Sequence, residues 1–525
     1  MSNFRYRLVQ FFLALAFLLI AGRLAQFQIL EAKKYKRPSN QKIVKINQSR
    51  GEIVDRNSKV LALDLNKYTL EYNPLEVTED RDELARNLSK IINLKNKNLL
   101  YSKASQTLAQ NLDREQAYKI RALNSKLLYL RKIKSRFYPQ GNLASHLIGY
   151  VDLYGKARQG VESKYDDYLR EDSERQLQLS IDSRLQAFAE EALEERITET
   201  KAERGAVLIM KVDTGEMLTW AVKPDFDPNK YYEFSMNETK NWSLVDVYQP
   251  GSIFKIVTVA TALDSSTVTP DYTYLDEGYL EVDKWKIKNH DYNSKETKNE
   301  ELTLQKLFER SSNPFAAHLG LKIGRETFYR YIRKFGFGDK TGVELDGETR
   351  GILHKFTKWR NSDTATTGMG QGAISVTPIQ LLSGINVVAN KGIWVRPSIL
   401  KFKPNSSTVN NVNTRSVIDP EVATHISMLL ANAIDHNVKF KHAIAGDVEG
   451  LRIAGKTGTA EKIKAGGGYS KRDTVASFLG FFPAENPRYI MLVVIDDPET
   501  DGRWGDTVAG PVFNQVAAYM KSLYF

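Results

Sequence analysis

The sequence contains no cysteine, which removes disulfide bridges, structural zinc thiolates and cysteine nucleophiles together. It leaves the compartment open, because a chain without thiols suits oxidising and reducing surroundings alike. An arginine-rich arm is missing, and so is any interleaving of aromatic with basic residues. The formal net charge of +11 is therefore read without nucleic acid, as favouring anionic surroundings such as lipid head groups or acidic polymers. There is no internal repeat and no second long apolar run after residue 30. What remains of the 525 residues is ordinary globular material, 42% hydrophobic and 26% charged, enough for roughly two to four structural units.

One apolar run stands near the N-terminus. Leu8 to Ala21 is apolar apart from Gln10, which is short of the about 20 residues a membrane span needs. Continuing to Leu30, with Arg23, Gln26 and Gln28 reaching toward the interface, predicts a transmembrane anchor over 8–30 behind a short tail, 1–7. A cleaved signal peptide is disfavoured, because Gly22-Arg23-Leu24-Ala25 offers no convincing small-x-small cleavage site, with Arg23 in the outer small position. Lys33, Lys34, Lys36 and Arg37 outnumber Arg5 and Arg7, so charge bias alone does not orient the span.

Two bodies follow. In 31–178, Ile43 to Tyr72 reads as short strands around a turn at Asn57-Ser58, and Glu79 to Tyr129 as charged helix with leucine and isoleucine three and four apart. In 179–525, a short strand passes into an amphipathic helix through "LSIDSRLQAFAEEALEERI". Two apolar strands then join at Asp213-Thr214-Gly215. Helical stretches are expected at 252–263, 302–320 and 324–335, strands at 474–482 and 489–495, and a closing helix from about Val512. That order predicts an α+β body whose sheet is assembled from both ends of the segment.

The stretch "GLRIAGKTGTAEK" has two chemical readings. Gly450, Gly455, Lys456 and Thr457 fit a phosphate-binding loop, but such a loop needs a buried strand before its first glycine and a long helix from its lysine. Asp447-Val448-Glu449 is no buried strand, and Gly466-Gly467-Gly468 would end any helix early. The alternation Leu451, Arg452, Ile453 reads better as a strand continuing through Lys456.

The other reading is serine acyl transfer. Ser-x-x-Lys puts a hydroxyl and an amine on one helical face, and an amine neutralised by burial can take the serine proton. The pattern occurs at Ser39–Lys42, Ser252–Lys255 and Ser398–Lys401. Only the middle copy opens an apolar helix, "PGSIFKIVTVATAL", in which N-capping would account for Ser252 but not for a buried Lys255. Ser-x-Asn occurs at Ser235–Asn237 and Ser311–Asn313. The second breaks a helix, and there Ser311 could relay protons while Asn313 orients a substrate amide or holds Lys255. Lys-Thr-Gly occurs at 340–342, in a turn, and at 456–458, on the expected strand, whose backbone could pair with a bound peptide.

In this order and context the motifs resemble the class B penicillin-binding proteins, membrane-anchored transpeptidases that cross-link peptidoglycan. "RGEIVDRNSKVLA" (50–62) and "HLIGYVDLYGKARQGVESKYDDYL" (146–169) look like that family's pedestal. "YQPGSIFK", "SSN", "TTGMGQGAISVTPIQL" (366–381), "GKTGTAEK" and "ASFLGFFPAENPRYIMLVVIDDP" (476–498) look like its catalytic domain. The resemblance implies a single membrane helix, an elongated α+β pedestal or dimerisation-type domain over 31–178, and a serine-β-lactamase-like α+β transpeptidase domain over 179–525. It implies that Ser252 is the nucleophile toward D-Ala-D-Ala stem peptides and β-lactams, that Lys255 is its base, and that Ser311 and Asn313 assist. Lys456, Thr457, Gly458 and Thr459 would bind substrate, and the amides of Ser252 and Thr459 would form the oxyanion hole. No metal or cofactor is implied. The catalytic part would lie outside the cytoplasm, at the cell (inner) membrane. "SSN" and the 455–498 segment look most like the division-specific (septal) branch, which implies a glycan polymerase and divisome proteins as partners. An elongation-type transpeptidase, a D,D-carboxypeptidase or β-lactam hydrolase, and a non-catalytic penicillin sensor or scaffold share the motifs. Ser58, Gln249 and Pro314 depart from the family pattern, where glycine, glutamate and a small or apolar residue are common.

Overall fold

The computed structural model describes residues 11, 14–15, 17–21, 23, 49–75, 79–94, 96–293, 299–401, 413–463, 469–500 and 502–525. Most of the expected anchor (8–30) lies outside them, as do Ser39, Lys42 and the first residues, 43–48, of the stretch expected to form strands around the Asn57-Ser58 turn; within the described part that stretch forms strands Glu52–Val54 and Val60–Tyr72. Among the described residues no helix is long and apolar enough to cross a membrane. By compactness the chain forms two units, one of residues 1–48 and 66–134, the other of 49–65 and 135–525.

In the first unit, helices Arg81–Ile91 and Arg114–Ala122 start at side-chain caps. Asp80 accepts from the amides of Asp82 and Glu83, and Asp113 forms a capping box with Gln116. The expectation of helix throughout 79–129 is corrected here. Gln106–Leu112 is a strand, paired antiparallel with Val60–Tyr72 through Tyr68–Leu112 and Leu70–Ala109. The cause is an ambiguity of period, since Leu108 and Leu112, four apart, share a face in a strand as well as in a helix. Strand pairing decides between them.

The second unit is built on a five-stranded antiparallel sheet. Helix α1 (Ser183–Thr200) precedes the hairpin β1 (Arg204–Lys211) and β2 (Met217–Lys223). Helices α2 (Lys255–Asp264), α3 (Leu304–Arg310) and α4 (Asn313–Ile323) follow. Strands β3 (Ala454–Ile463), β4 (Tyr469–Phe482) and β5 (Tyr489–Asp496) and helix α5 (Gly510–Tyr524) close the chain. The sheet order is β3-β4-β5-β1-β2, so both ends of the segment contribute, as the sequence pattern implies. Both faces are covered, which is why β1, β2 and β5 read as nearly continuous apolar runs. Along β1, Ala206, Leu208 and Met210 pack into the core that holds α2, whereas Val207 and Ile209 pack with Leu185 and Leu193 of α1 and Phe513 and Val516 of α5.

The same unit holds a buried ionic cluster. Arg136 pairs with Glu162 at 2.6 Å and Asp64 at 3.2 Å, and Arg50 pairs with Glu162 at 2.8 Å and with Asp166. Arg50 and Glu162 come from the two segments read as pedestal-like. Nearby, Asp55 accepts from the amides of Asn57 and Lys59, which closes the Asn57-Ser58 turn. Ser58 there has φ +67°, a conformation that costs any residue but glycine, so the departure at Ser58 is a local strain.

Candidate active site

Ser252 lies in the 3-10 turn Gly251–Phe254, immediately ahead of α2, and is half-buried. Its side chain caps neither the turn nor α2, so N-capping does not account for it. Lys255 begins α2 and is wholly buried, on a helix whose first nine residues are all buried. An unpaired ammonium is costly in such a place. Three acceptors meet it: Nζ lies 2.5 Å from the Ser311 carbonyl, 3.1 Å from Ser311 Oγ and 2.8 Å from Asn313 Oδ1. Burial first, and then the positive Lys456, hold its pKa well below the ordinary lysine value. A neutral amine keeps the carbonyl and the amide oxygen through its two N–H groups, and its lone pair is then open to a hydroxyl, that of Ser311 or that of Ser252. Lys255 and Ser311 are thus geometrically able to pass a proton between them.

The break between α3 and α4 makes this meeting possible. Ser311 ends α3 in the left-handed region, φ +54°, and Ser312 caps α4 by accepting from the Phe315 amide. Pro314 stands in the first turn of α4, where its missing N–H is no loss, so the departure at Pro314 suits the local structure. Asn313 is oriented at both ends. Its amide nitrogen donates to the Lys288 carbonyl at 3.0 Å, and its backbone N–H donates to Asn289 Oδ1 at 2.9 Å, which leaves Oδ1 for Lys255.

Lys456, Thr457, Gly458 and Thr459 lie on β3, which among the described residues is an edge strand paired with β4 through Lys456–Leu479, Thr457–Phe478, Gly458–Ser477 and Thr459–Ala476. The phosphate-loop reading fails on this point, since a strand and not a helix carries Lys456. Two glycines let β3 approach Ser252. A Cβ on Gly251 (φ +57°) would stand 2.9 Å from Thr459 O, and one on Gly458 would stand 2.5 Å from Ser477 Oγ and 3.0 Å from Ile253 Cδ1. Lys456 donates to Thr457 Oγ1 at 3.2 Å, and the Thr459 hydroxyl accepts from the Gly505 amide at 3.2 Å. Burial lowers the Lys456 pKa to about 8, against the pull of Asp506. At neutral pH Lys456 therefore stays cationic, while Lys255 is driven toward the neutral form.

The remaining motif copies among the described residues are held in local structure. Ser235 caps a one-turn helix with Glu238, Ser398 bonds Glu344, and Lys401 bonds the Arg56 carbonyl. Thr341 and Gly342 wrap the Glu348 carboxylate. Sequence reasoning missed Gly370, whose carbonyl accepts the Gly251 amide at 3.0 Å and so braces the Ser252 turn. It also missed Asp276 and Asn289 behind Asn313. Gly370 lies in the quoted "TTGMGQG" segment, so a signal existed for it, whereas Asp276 and Asn289 sit in no motif.

Comparison with known proteins bears on the family and the fold. The family model described as the penicillin binding protein transpeptidase domain matches residues 205–518, and the penicillin-binding protein dimerisation domain matches 45–186. Stage V sporulation protein D of Bacillus subtilis is 29% identical, with 98% of this chain and 84% of that protein covered. Peptidoglycan D,D-transpeptidase FtsI of Escherichia coli K12 is also 29% identical, over 96% of this chain and 89% of that protein. The solved structure of penicillin binding protein 3 from Mycobacterium tuberculosis, complexed with aztreonam, shares the fold at TM-score 0.72 and 23% identity, covering 91% of this chain and 96% of that one. The chain therefore belongs to the penicillin-binding protein transpeptidase family, in the class B arrangement in which a dimerisation domain precedes the transpeptidase domain.

Proposed function

We propose that this protein is a peptidoglycan D,D-transpeptidase acting through a Ser252 acyl-enzyme. The observation that carries the reading is the wholly buried Lys255 amine, held by Ser311 and Asn313 one helical turn from Ser252. The neutral amine of Lys255 takes the Ser252 proton as Oγ attacks the carbonyl of the penultimate D-alanine of a stem peptide. The tetrahedral oxyanion is met by the amides of Ser252 and Thr459, while Lys456 and the Thr457 hydroxyl hold the terminal carboxylate. Edge strand β3 pairs with the extended peptide. When the carbon–nitrogen bond breaks, the Lys255 proton passes through Ser311 to the departing D-alanine amine. An acceptor amine then attacks the acyl-enzyme, gives up its proton along the same path, and releases Ser252. A β-lactam ring would open on the same serine.

The names of the relatives FtsI and stage V sporulation protein D support a septal or sporulation-type task over elongation. With the apolar 8–30 run, the reading is of a single-pass protein of the cell (inner) membrane, its catalytic domain on the extracytoplasmic side, working beside a membrane glycan polymerase and divisome proteins. Water in place of the acceptor amine would make the same site a D,D-carboxypeptidase. Mass spectrometry of stem-peptide products with and without an acceptor amine separates the two. Fluorescent penicillin is expected to label the purified full-length protein covalently, and Ser252→Ala to abolish labelling with an unchanged melting curve. Equal labelling of both proteins would sink the assignment.

A further inference from the structure

Bonded to the Ser311-Ser312-Asn313 segment stands a carboxylate that no motif contains. Asp276 ends the short strand Thr273–Asp276 and is buried. Its Oδ2 accepts from Ser312 Oγ at 2.5 Å and from Asn289 Nδ2 at 3.0 Å, and its Oδ1 accepts from the Gly278 amide at 2.7 Å. The Asn289 backbone is tied in turn, its N–H donating to the Gly278 carbonyl at 3.0 Å. Asn289 Oδ1 accepts the Asn313 amide at 2.9 Å, and the Asn313 side chain reaches Lys255 at 2.8 Å. One carboxylate thus closes a hydrogen-bonded chain that ends on the lysine amine. Asn289 gives its Nδ2 to Asp276 and its Oδ1 to the Asn313 backbone N–H, so the two ends of one amide tie the carboxylate to the segment that carries Asn313.

We propose that Asp276 is a positioning residue for acylation, holding the Ser311-Ser312-Asn313 segment in register with Lys255 through Ser312 and Asn289. It makes no hydrogen bond to Ser252 or Lys255 and acts through Ser312, Asn289 and its charge. The geometry needs such an anchor. Ser311 is in the left-handed region and α3 ends there, so the segment between α3 and α4 is fixed by side chains and not by helix continuity. A carboxylate is suited to the place, because it accepts from three donors at once, whereas an asparagine must turn an N–H₂ group toward one of them. There is also an electrostatic consequence. The charged groups acting on Lys255 are Lys456, which favours the neutral amine, and Asp276, which opposes it. Removing the Asp276 charge is therefore expected to let Lys255 lose its proton at still lower pH.

The inference rests on the acyl-enzyme reading, and the test separates the two. Acylation of the full-length protein by fluorescent penicillin is measured for wild type, Ser252→Ala, Asp276→Asn, Ser312→Ala and Asn289→Ala across pH 5–10. No labelling of wild type, or labelling of Ser252→Ala, overturns the acyl-enzyme reading itself. With that reading standing, Asp276→Asn is expected to slow the acylation step about 10- to 100-fold and to leave the pre-acylation binding constant within about twofold. The acid limb of its profile should move to lower pH. Ser312→Ala and Asn289→Ala should slow the step without moving the limb, because they keep the charge. Wild-type acylation rates in Asp276→Asn, or slowing that resides entirely in the binding constant, would overturn the proposal. Should Asp276→Asn fail to fold, wild-type rates in both single-contact variants would overturn it equally.

Discussion

Residues 340–342 and 456–458 spell the same three letters, Lys-Thr-Gly, and do opposite things. In the first copy the polar groups are consumed internally: the Thr341 amide and hydroxyl both donate to Glu348 Oε1 at 2.6 Å, and the Gly342 amide donates to Oε2 at 3.0 Å, while Lys340 is left exposed. In the second copy the lysine is buried against its own preference and the backbone lies on a sheet edge beside Ser252. The first copy stabilises a loop. The second copy destabilises the fold in order to place a cation, a trade common at catalytic sites. A motif is therefore chemistry only where its side chains are left unsatisfied by their own neighbourhood.

That contrast is open to attack, most forcefully at the lysines. Lys456→Met should reduce penicillin acylation by about 100-fold or more, whereas Lys340→Met should leave it within twofold, as a labelling time course would show. The same Lys456→Met variant should be more stable than wild type. Burial holds the folded-state pKa at about 8 against an ordinary 10.5, so folding disfavours the protonated lysine. The penalty, about 3 kcal/mol, is fully present below pH 8 and fades as pH rises toward 10.5. Thermal melts at pH 7 and pH 10 should show a gain that shrinks with pH, and a gain independent of pH would refute the electrostatic account. Next in size, Glu348→Ala should unlatch the first copy and cost about 2 kcal/mol in a denaturant titration while acylation stays unchanged. Smallest is Gly342→Ala. Gly342 has φ +79° but nothing nearer than Arg396 Cδ at 3.5 Å, so backbone strain alone, about 1 kcal/mol, is expected. Gly458→Ala, which must displace Ser477 or Ile253, should exceed it and should also slow acylation.

Much of this was legible in the sequence because it depends on local period. The apolar run after Ser252 announces a buried helix, the Ser311-Ser312-Asn313-Pro314 break announces a helix end and a helix start, and the run Tyr489–Asp496 announces a doubly covered strand. Where two periods coincide the reading fails, as at Leu108 and Leu112, whose spacing fits helix and strand alike. Where the contact is long-range nothing local records it. Asp276 lies 36 residues before Ser312, and the Gly251 amide bonds a carbonyl over a hundred residues away, at Gly370.

The sequence by itself determined which chemical groups exist and which of them sit in apolar or helix-breaking surroundings: a serine one helical turn from a lysine in a buried helix, an amide at a break, a lysine on a strand. Burial cost and backbone period act over a few residues and are written there. Only the tertiary structure decided that these copies meet, because lowering the Lys255 pKa takes full burial with Lys456 near enough to act on it, and holding its amine takes Ser311 and Asn313 from a different helix break. Electrostatics and hydrogen bonding depend on distance in space, and that distance is set by packing the two ends of the chain into one sheet.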